Sequence, residues 1–161
     1  MKTKLVYVLT CAPDKYYIEQ ALISAFSARY HNPDAHIALI VDRPTNELLV
    51  GRRAELLNYL TERIIVDVPE KYNTVQASRW LKTNVRNLID GDFLFIDCDT
   101  IVVSSLEEVD DFSCQMCATM DCHRLVSSYS LSERNQLVYN ANKCGWDFTN
   151  VDKYRSSGVL M

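Results

Sequence analysis

Four short apolar runs, separated by longer amphipathic segments, constrain the fold of this 161-residue chain most strongly. The runs lie at residues 5–9, 37–41, 64–68 and 93–96, and each is largely apolar rather than alternating. Runs of this kind are typical of parallel strands buried on both faces. Repeated strand–helix–strand units therefore predict an α/β protein, a three-layer α/β/α, Rossmann-like domain with a mostly parallel sheet.

Between the first three runs, the sequence predicts two helices. The first ends at residues 31–34, because Pro33 cannot continue a helix and restricts the residue before it. Its apolar residues recur at helical spacing: Ile18, Ala21, Leu22, Ala25 and Phe26. The second covers residues 45–60, and its predicted buried face comprises Leu48, Leu49, Leu56, Leu57 and Leu60.

A third helix begins after Asn73, which can form a capping box with Gln76. Its apolar stripe consists of Ala77, Leu81, Val85 and Leu88. A separate cationic stripe of Arg79, Lys82 and Arg86 follows spacings of three and four. Such a stripe usually marks a solvated face. Because this helix immediately precedes the fourth apolar run, its charges could instead overlook the crevice beyond that run.

Two aspartates, Asp97 and Asp99, directly follow the fourth run. On an extended chain, side chains two positions apart point to the same side. Two like charges at one point become tolerable when a cation lies between them. Carboxylates suit Mg²⁺ or Mn²⁺, and these ions keep positions open for substrate phosphates. The triplet predicts metal-assisted phosphate chemistry, with a solvated turn at the strand end as the alternative.

The loop at residues 10–14, after the first run, falls at the same predicted edge of the sheet as Asp97 and Asp99. In open α/β sheets, ligands bind beyond the carboxyl ends of the strands. Two separate segments therefore converge on one predicted site.

Composition and motifs exclude several other classes of protein. The net charge of −4 and pI near 5.3 argue against a nucleic-acid-binding protein. The chain has neither a G-x-G-x-x-G motif nor a P-loop, which leaves a dehydrogenase or ordinary kinase without support. No apolar stretch reaches the roughly 18 residues of a membrane span, and no signal peptide is apparent. We therefore expect a cytoplasmic location.

The cysteines allow a second metal hypothesis. Cys114 and Cys117 have zinc-ligand spacing, and Cys122 with His123 follows closely. Residues 115–120 read as a core strand, in which residues three apart face opposite sides. We therefore favour buried reduced thiols over a zinc site.

Taken in order, several segments resemble nucleotide-sugar glycosyltransferases of the GT-A fold. The matching segments are residues 6–10, 14–17, 77–82, 92–102 and 157–161. The strongest likeness is to glycosyltransferase family 8, the retaining galactosyl- and glucosyltransferases that include glycogenin and bacterial lipopolysaccharide enzymes. The resemblance implies the GT-A nucleotide-diphospho-sugar transferase fold for residues 1–161 as a single domain.

The resemblance also implies a UDP-sugar donor and Mn²⁺ (or Mg²⁺) as cofactor. By matching position, Asp97 would contact the nucleotide ribose and the metal, and Asp99 would ligate the metal. Arg79 would reach the nucleotide or its phosphates, and Lys82 would add positive charge near the leaving group.

The remaining implied contacts lie on other segments. The loop at residues 10–17 would hold the uracil, with Thr10, Asp14 and Tyr16 as candidates. Asp121 resembles the aspartate that contacts the donor sugar; the alternative is a solvated carboxylate at a strand end. No nucleophile is identified.

The implied reaction moves a hexose from the UDP-sugar to a carbohydrate or glycolipid acceptor, with retention. The sequence departs from the family pattern at Ser156, where the family usually has asparagine. The family's third metal ligand, a histidine, and its D-Q motif are missing, so we expect a domain that lacks its C-terminal part. A catalytically incomplete nucleotide-sugar-binding remnant remains open, as do a homo-oligomer and a peripheral membrane location. A sugar-nucleotidyltransferase is less favoured, because residues 10–14 contain neither glycine nor arginine.

Overall fold

A computed structural model of the chain describes residues 1–112, 118–125, 129–143, 145 and 153–160. Its strands are β1 (Lys4–Leu9), β2 (Ile37–Asp42), β3 (Glu62–Val66), β4 (Phe93–Ile96), β5 (Ala118–Leu125) and β6 (Lys153–Leu160). Its α-helices are α1 (Tyr17–His31), α2 (Arg43–Glu47), α3 (Thr74–Leu88) and α4 (Leu131–Lys143). Two 3₁₀ helices cover Gly51–Tyr59 and Glu107–Asp111.

The six strands form one sheet in the order β3-β2-β1-β4-β6-β5. The strands from β1 to β4 are parallel, with Val8 opposite Ile40 and Val6 opposite Phe95. Strand β6 pairs antiparallel with β4, and β5 pairs antiparallel with β6. The prediction of a mostly parallel sheet is therefore confirmed.

Strand β1 is buried on both faces. Leu5, Tyr7 and Leu9 pack with α1 and the Gly51–Tyr59 helix, whereas Val6 and Val8 pack with α3 on the opposite face. Strand side chains alternate between faces, so each face of the sheet has its own apolar cluster. Helices thus cover both faces, as the three-layer prediction requires.

Helix α1 buries a face slightly different from the predicted one. Ile18, Ala21 and Ala25 are buried as expected, but Phe26 is 50% exposed and contacts the ring of Tyr59 edge-on at 5.5 Å. The buried face instead includes polar residues, among them Ser24 and Ser27, which the apolar pattern did not indicate.

These polar residues of α1 hold the chain that follows β4. Ser27 Oγ accepts a hydrogen bond from the Val102 N–H at 2.9 Å, and the Ser24 and Thr100 hydroxyls lie 3.3 Å apart. Further along, Asn32 Oδ1 accepts the Leu106 N–H at 2.7 Å. Because buried backbone donors need partners, these bonds determine the path of the chain beyond β4.

The prediction of one helix over residues 45–60 is wrong. The short helix α2 is capped by the Asp42 carboxylate, which accepts the Thr45 N–H at 3.2 Å. A 3₁₀ helix then begins at Gly51, whose φ of +56° lies in the left-handed region and interrupts regular helix. Of the five predicted leucines, Leu49 and Leu56 are buried and the others are half-buried.

The third strand begins and ends two residues earlier than the apolar run at 64–68. Pairing with β2 sets this register, with Ala38 opposite Glu62 and Asp42 opposite Val66. Strand β3 is at the sheet edge, where charged residues such as Glu62 and Arg63 are tolerated.

The third helix is confirmed as α3, with the predicted capping box between Asn73 and Gln76. Every helix within the described ranges is too short or too polar to span a bilayer.

The zinc hypothesis falls largely on parts of the chain that the structure does not describe. Cys114 and Cys117 lie outside the described residues, and Cys122 and His123 lie on β5, where the backbone alone is described.

A testable prediction concerns the start of β1. Asp110 accepts hydrogen bonds from the backbone N–H groups of Lys2 at 2.6 Å and Thr3 at 2.8 Å. These bonds lower the pKa of the Asp110 carboxyl from 3.8 to about 2. Because the pKa is lower in the folded state, the carboxylate stabilises the protein above its unfolded-state pKa. This stabilisation is lost as the pH falls through the folded value.

Urea denaturation should show that Asp110→Asn lowers the free energy of unfolding at neutral pH. The difference from wild type should shrink as the pH falls from about 4 toward 2. Asp111→Asn, at an exposed neighbour, is the matched control and should have little effect. A difference between wild type and Asp110→Asn that does not change with pH would contradict the prediction.

Candidate functional site

A cleft of about 440 Å³ opens at the carboxyl ends of β1 and β4. The sheet places β2 and β3 on one side of β1 and β4 on the other, so the strand order reverses between β1 and β4. Ligands in open α/β sheets bind at such a reversal. The lining residues are Val8, Leu9, Thr10, Tyr17, Gln20, Thr74, Val75, Ser78, Arg79, Lys82, Asp97, Cys98 and Asp99.

The two aspartates lie in a turn, not on an extended strand. Strand β4 ends at Ile96, and the Asp97 carbonyl accepts hydrogen bonds from the Thr100 N–H at 3.2 Å and the Thr100 hydroxyl at 2.8 Å. The expectation that strand alternation brings the carboxylates together is therefore wrong. Asp97 and Asp99 nevertheless both line the cleft, because the turn folds back at the sheet edge.

Cys98, between the two aspartates, attaches this turn to β1. Its Sγ donates a hydrogen bond to the Val8 carbonyl at 3.3 Å. Burial, reinforced by the neighbouring Asp97 carboxylate, raises the pKa of the Cys98 thiol to about 12. The hydrogen bond to Val8 therefore positions the turn against the end of β1.

The Lys82 ammonium lies against the Asp97 carboxylate. Lys82 Nζ is 2.5 Å from Asp97 Oδ1, and the two side chains are 34% and 24% exposed. The same ammonium lies 5.4 Å from the centre of the Phe95 ring. Asp99 is exposed and forms no ion pair with any other described residue. The cation from α3 thus compensates one of the two carboxylates.

The cationic stripe of α3 divides between two places. Arg79 and Lys82 line the cleft, whereas Arg86 donates to the Gly91 carbonyl at 2.5 Å and stands over the Phe93 ring. The Arg79 side chain is exposed and makes no ion pair within the described part of the chain. One wall of the cleft is therefore positively charged and faces the acidic turn.

The first turn of α3 also faces the cleft, through Thr74 and Val75. Backbone N–H groups and the helix dipole favour anions at a helix N-terminus. Thr10 Oγ1 donates to the Thr74 carbonyl at 3.2 Å and so joins the end of β1 to this turn.

Of the nucleotide-loop candidates, Thr10 alone lines the cleft. Asp14 pairs with its neighbour Lys15 at 3.0 Å, and Tyr16 is 75% exposed. Both lie outside the cleft lining, and their proposed contacts stay predictions.

Contacts from Thr45 and Arg53 determine the direction of this loop. Thr45 Oγ1 accepts the Cys11 N–H at 2.7 Å, and Arg53 donates to the Lys15 carbonyl at 3.0 Å while pairing with Glu19 at 2.8 Å. The loop is thereby held against α2 and the 3₁₀ helix that follows.

The lining residues that the sequence analysis did not name as candidates include Tyr17, Gln20, Val75 and Ser78. A signal for each was present. Val75 and Ser78 precede Arg79 and Lys82 by a helical turn on the same face, and Gln20 follows Tyr17 by three positions at the start of α1.

Asp121 and Ser156 lie on β5 and β6, respectively, where the backbone alone is described. The predicted contact of Asp121 with a donor sugar therefore stays a prediction.

The cleft fits a hard divalent cation. Among the described residues, no group of three or more His, Cys, Asp or Glu could hold a metal ion. Mg²⁺ and Mn²⁺, however, commonly bind through one or two carboxylates and complete their shell with water and substrate phosphates. The ammonium of Lys82 already serves as a stand-in cation for Asp97, which shows that a positive charge is favourable there.

Comparison of the sequence with protein-family models and with curated proteins finds no match. Solved structures do match, at low sequence identity. One is galactosyltransferase LgtC in complex with donor and acceptor sugar analogs, with a TM-score of 0.55 and 20% identity. Another is an active-site mutant of LgtC, with a TM-score of 0.58 and 19% identity.

Each match covers 98% of this chain and 56% of the LgtC chain, so this chain spans just over half the length of that protein. The matches confirm the predicted α/β architecture: this chain has the GT-A fold of the galactosyltransferase LgtC.

Proposed function

We propose that this chain is a glycosyltransferase domain, similar to family 8, that moves a hexose from a UDP-sugar to an acceptor hydroxyl. One observation carries the proposal: two carboxylates and two cations line one cleft at the strand-order reversal. A nucleoside diphosphate bound with a divalent cation has the charge pattern that this cleft complements.

Asp97 and Asp99 would hold Mn²⁺ (or Mg²⁺), which would supply Lewis-acid stabilisation of the charge on the departing UDP. On the opposite wall, Arg79 would donate hydrogen bonds to the diphosphate. The N-terminal turn of α3 and Lys82 would add fixed positive charge to the same group.

The nucleoside would lie toward the end of β1. Thr10 and Tyr17 line this part of the cleft, and Tyr17 offers an aromatic surface next to the polar Gln20. Asp14 and Tyr16 remain proposed contacts from the adjoining loop.

LgtC is a galactosyltransferase that has been solved with donor and acceptor sugar analogs. From the resemblance to family 8, we propose a carbohydrate or glycolipid acceptor, transfer with retention, and Asp121 as a contact to the donor sugar.

A second candidate is a domain that binds a nucleotide sugar without turnover. Among the described cleft residues, the only carboxylates are Asp97 and Asp99, and both are assigned to the metal. The Cys98 thiol, whose pKa is raised, and the hydroxyls of Thr10, Tyr17, Thr74 and Ser78 offer no ready base or nucleophile.

The first prediction from this proposal tests whether UDP binding depends on the divalent metal ion. Asp99→Ala should abolish the Mn²⁺-dependent part of UDP binding, because the cation loses one of its two carboxylate ligands. Isothermal titration calorimetry with and without Mn²⁺ measures this directly. Asp90→Ala, which removes an exposed carboxylate before β4, is the control and should leave UDP affinity unchanged. Equal UDP affinity of the wild type with and without Mn²⁺ would count against the proposal.

The second prediction uses two arginines on the same helix. Arg79→Ala should weaken UDP binding by about 10-fold or more, because a hydrogen bond to a charged group contributes about 1.5–3 kcal/mol. Arg86→Ala removes the same charge outside the cleft and should change UDP affinity by less than about 2-fold. Equal losses for the two variants would indicate a general charge effect instead of a diphosphate contact.

The third prediction separates turnover from binding. In the presence of Mn²⁺, the wild-type chain should release UDP from UDP-glucose or UDP-galactose faster than Asp99→Ala does. A coupled assay of UDP release provides the measurement. Donor binding by the wild type without release above the Asp99→Ala background would favour the second candidate.

A further inference from the structure

The Lys82–Asp97 ion pair places a cation where the proposed function requires a metal. Lys82 Nζ lies 2.5 Å from Asp97 Oδ1, inside the same cleft that Asp99 lines. This pair is half-buried, so it is screened by solvent less than a pair on the open surface.

An ammonium and a divalent cation cannot share one carboxylate without repelling each other. At an ion-pair distance, two positive charges in a partly desolvated site oppose each other strongly. Binding of a metal at Asp97 therefore favours the withdrawal of Lys82 from Oδ1 or its transfer to a new anion. The side chain has the freedom to do so, because lysine carries its charge on a flexible stem.

We propose that Lys82 is a displaceable internal cation that holds Asp97 in the free protein and moves to the diphosphate when the metal and nucleotide bind. This inference rests on the proposed function and goes beyond it by assigning Lys82 a role in the order of binding. In the free protein Lys82 competes with the metal for Asp97. In the loaded protein it becomes an additional contact to the nucleotide.

The movement of Lys82 from Asp97 to the diphosphate couples the binding of the metal to the binding of the nucleotide. Metal alone must displace Lys82 without offering it a new partner, whereas the metal together with UDP supplies phosphate oxygens to receive it. Metal and nucleotide should therefore bind with positive coupling, and by linkage each raises the affinity of the other by the same factor. Arg79 cannot play this part, because it makes no ion pair with Asp97.

A structural role for the ion pair makes the opposite prediction. If Lys82 only braced α3 against the turn at residues 97–100, its removal would loosen the turn and weaken metal binding. If Lys82 competes with the metal, its removal strengthens metal binding. The sign of the change in metal affinity therefore distinguishes the two roles.

The experiment measures the Mn²⁺ dissociation constant, by electron paramagnetic resonance of free Mn²⁺, with and without saturating UDP. Lys82→Met keeps an unbranched side chain next to Phe95 but removes the charge. It should bind Mn²⁺ alone more tightly than wild type by roughly 5-fold or more, which is the lower end of typical coupling factors. The gain in Mn²⁺ affinity on adding UDP should shrink correspondingly.

Two further variants serve as controls. Arg79→Met removes a charge that lines the same cleft but does not pair with Asp97, and should change the affinity for Mn²⁺ alone by less than about 2-fold. Lys82→Arg keeps the charge and should restore weak Mn²⁺ binding. Circular dichroism confirms that each variant is folded.

The outcomes are distinct. Mn²⁺ binding that is unchanged or weaker in Lys82→Met, or that is equally strengthened in Arg79→Met, overturns the role of Lys82 and leaves the proposed function intact. If Mn²⁺ binds to neither the wild type nor Lys82→Met, with or without UDP, both the proposed function and this inference are overturned.

Discussion

The parallel pairing of β1 with β4 is the interaction on which the rest of the structure depends. Strand β1 lies in the middle of the parallel part of the sheet, and its side chains fill both apolar clusters. Its register with β4 places Val6 opposite Phe95, and so brings Thr10 and Asp97 to the same edge. Without this pairing, the loop after β1 and the turn after β4 would not lie side by side at the cleft.

The charges in the cleft come from the helix and the turn that pack at this edge of the sheet. Helix α3 crosses the face formed by Val6 and Val8, and its polar side faces the turn after β4. The result is an acidic turn opposite a cationic helix, with Lys82 already paired to Asp97. A site of this kind binds a ligand that carries both signs of charge, as a metal–diphosphate complex does.

Polar groups inside the core also have a positioning role. The buried Ser27 of α1 accepts the Val102 N–H after the acidic turn, and the buried Thr45 accepts the Cys11 N–H after β1. Both cleft loops are thus held by side chains that lie outside the cleft lining. The sequence did not single out these residues, because a buried serine or threonine cannot be told from an exposed one until its hydrogen-bond partner is known.

The sequence pattern predicted the structure correctly where its signal lies within a few neighbouring residues. The capping box at Asn73, the period of the α3 stripe and the apolar runs of β1 and β2 each depend on neighbours in the chain. Pattern failed at residues 45–60, where Gly51 and packing divide one apparent helix into two pieces. It also failed for the register of β3, which depends on pairing with β2.

The sequence by itself determined the layered α/β architecture, the charged residues of α3 and the position of Asp97 and Asp99 after a buried strand. These follow from periodicity and from the burial of apolar runs, which are properties of local sequence. Tertiary structure alone decided that the aspartates sit in a turn, that Lys82 and not Arg86 faces them, and that Tyr17 lines the cleft while Tyr16 does not. Those outcomes depend on contacts between segments distant in the chain, and no local pattern encodes which segments will meet.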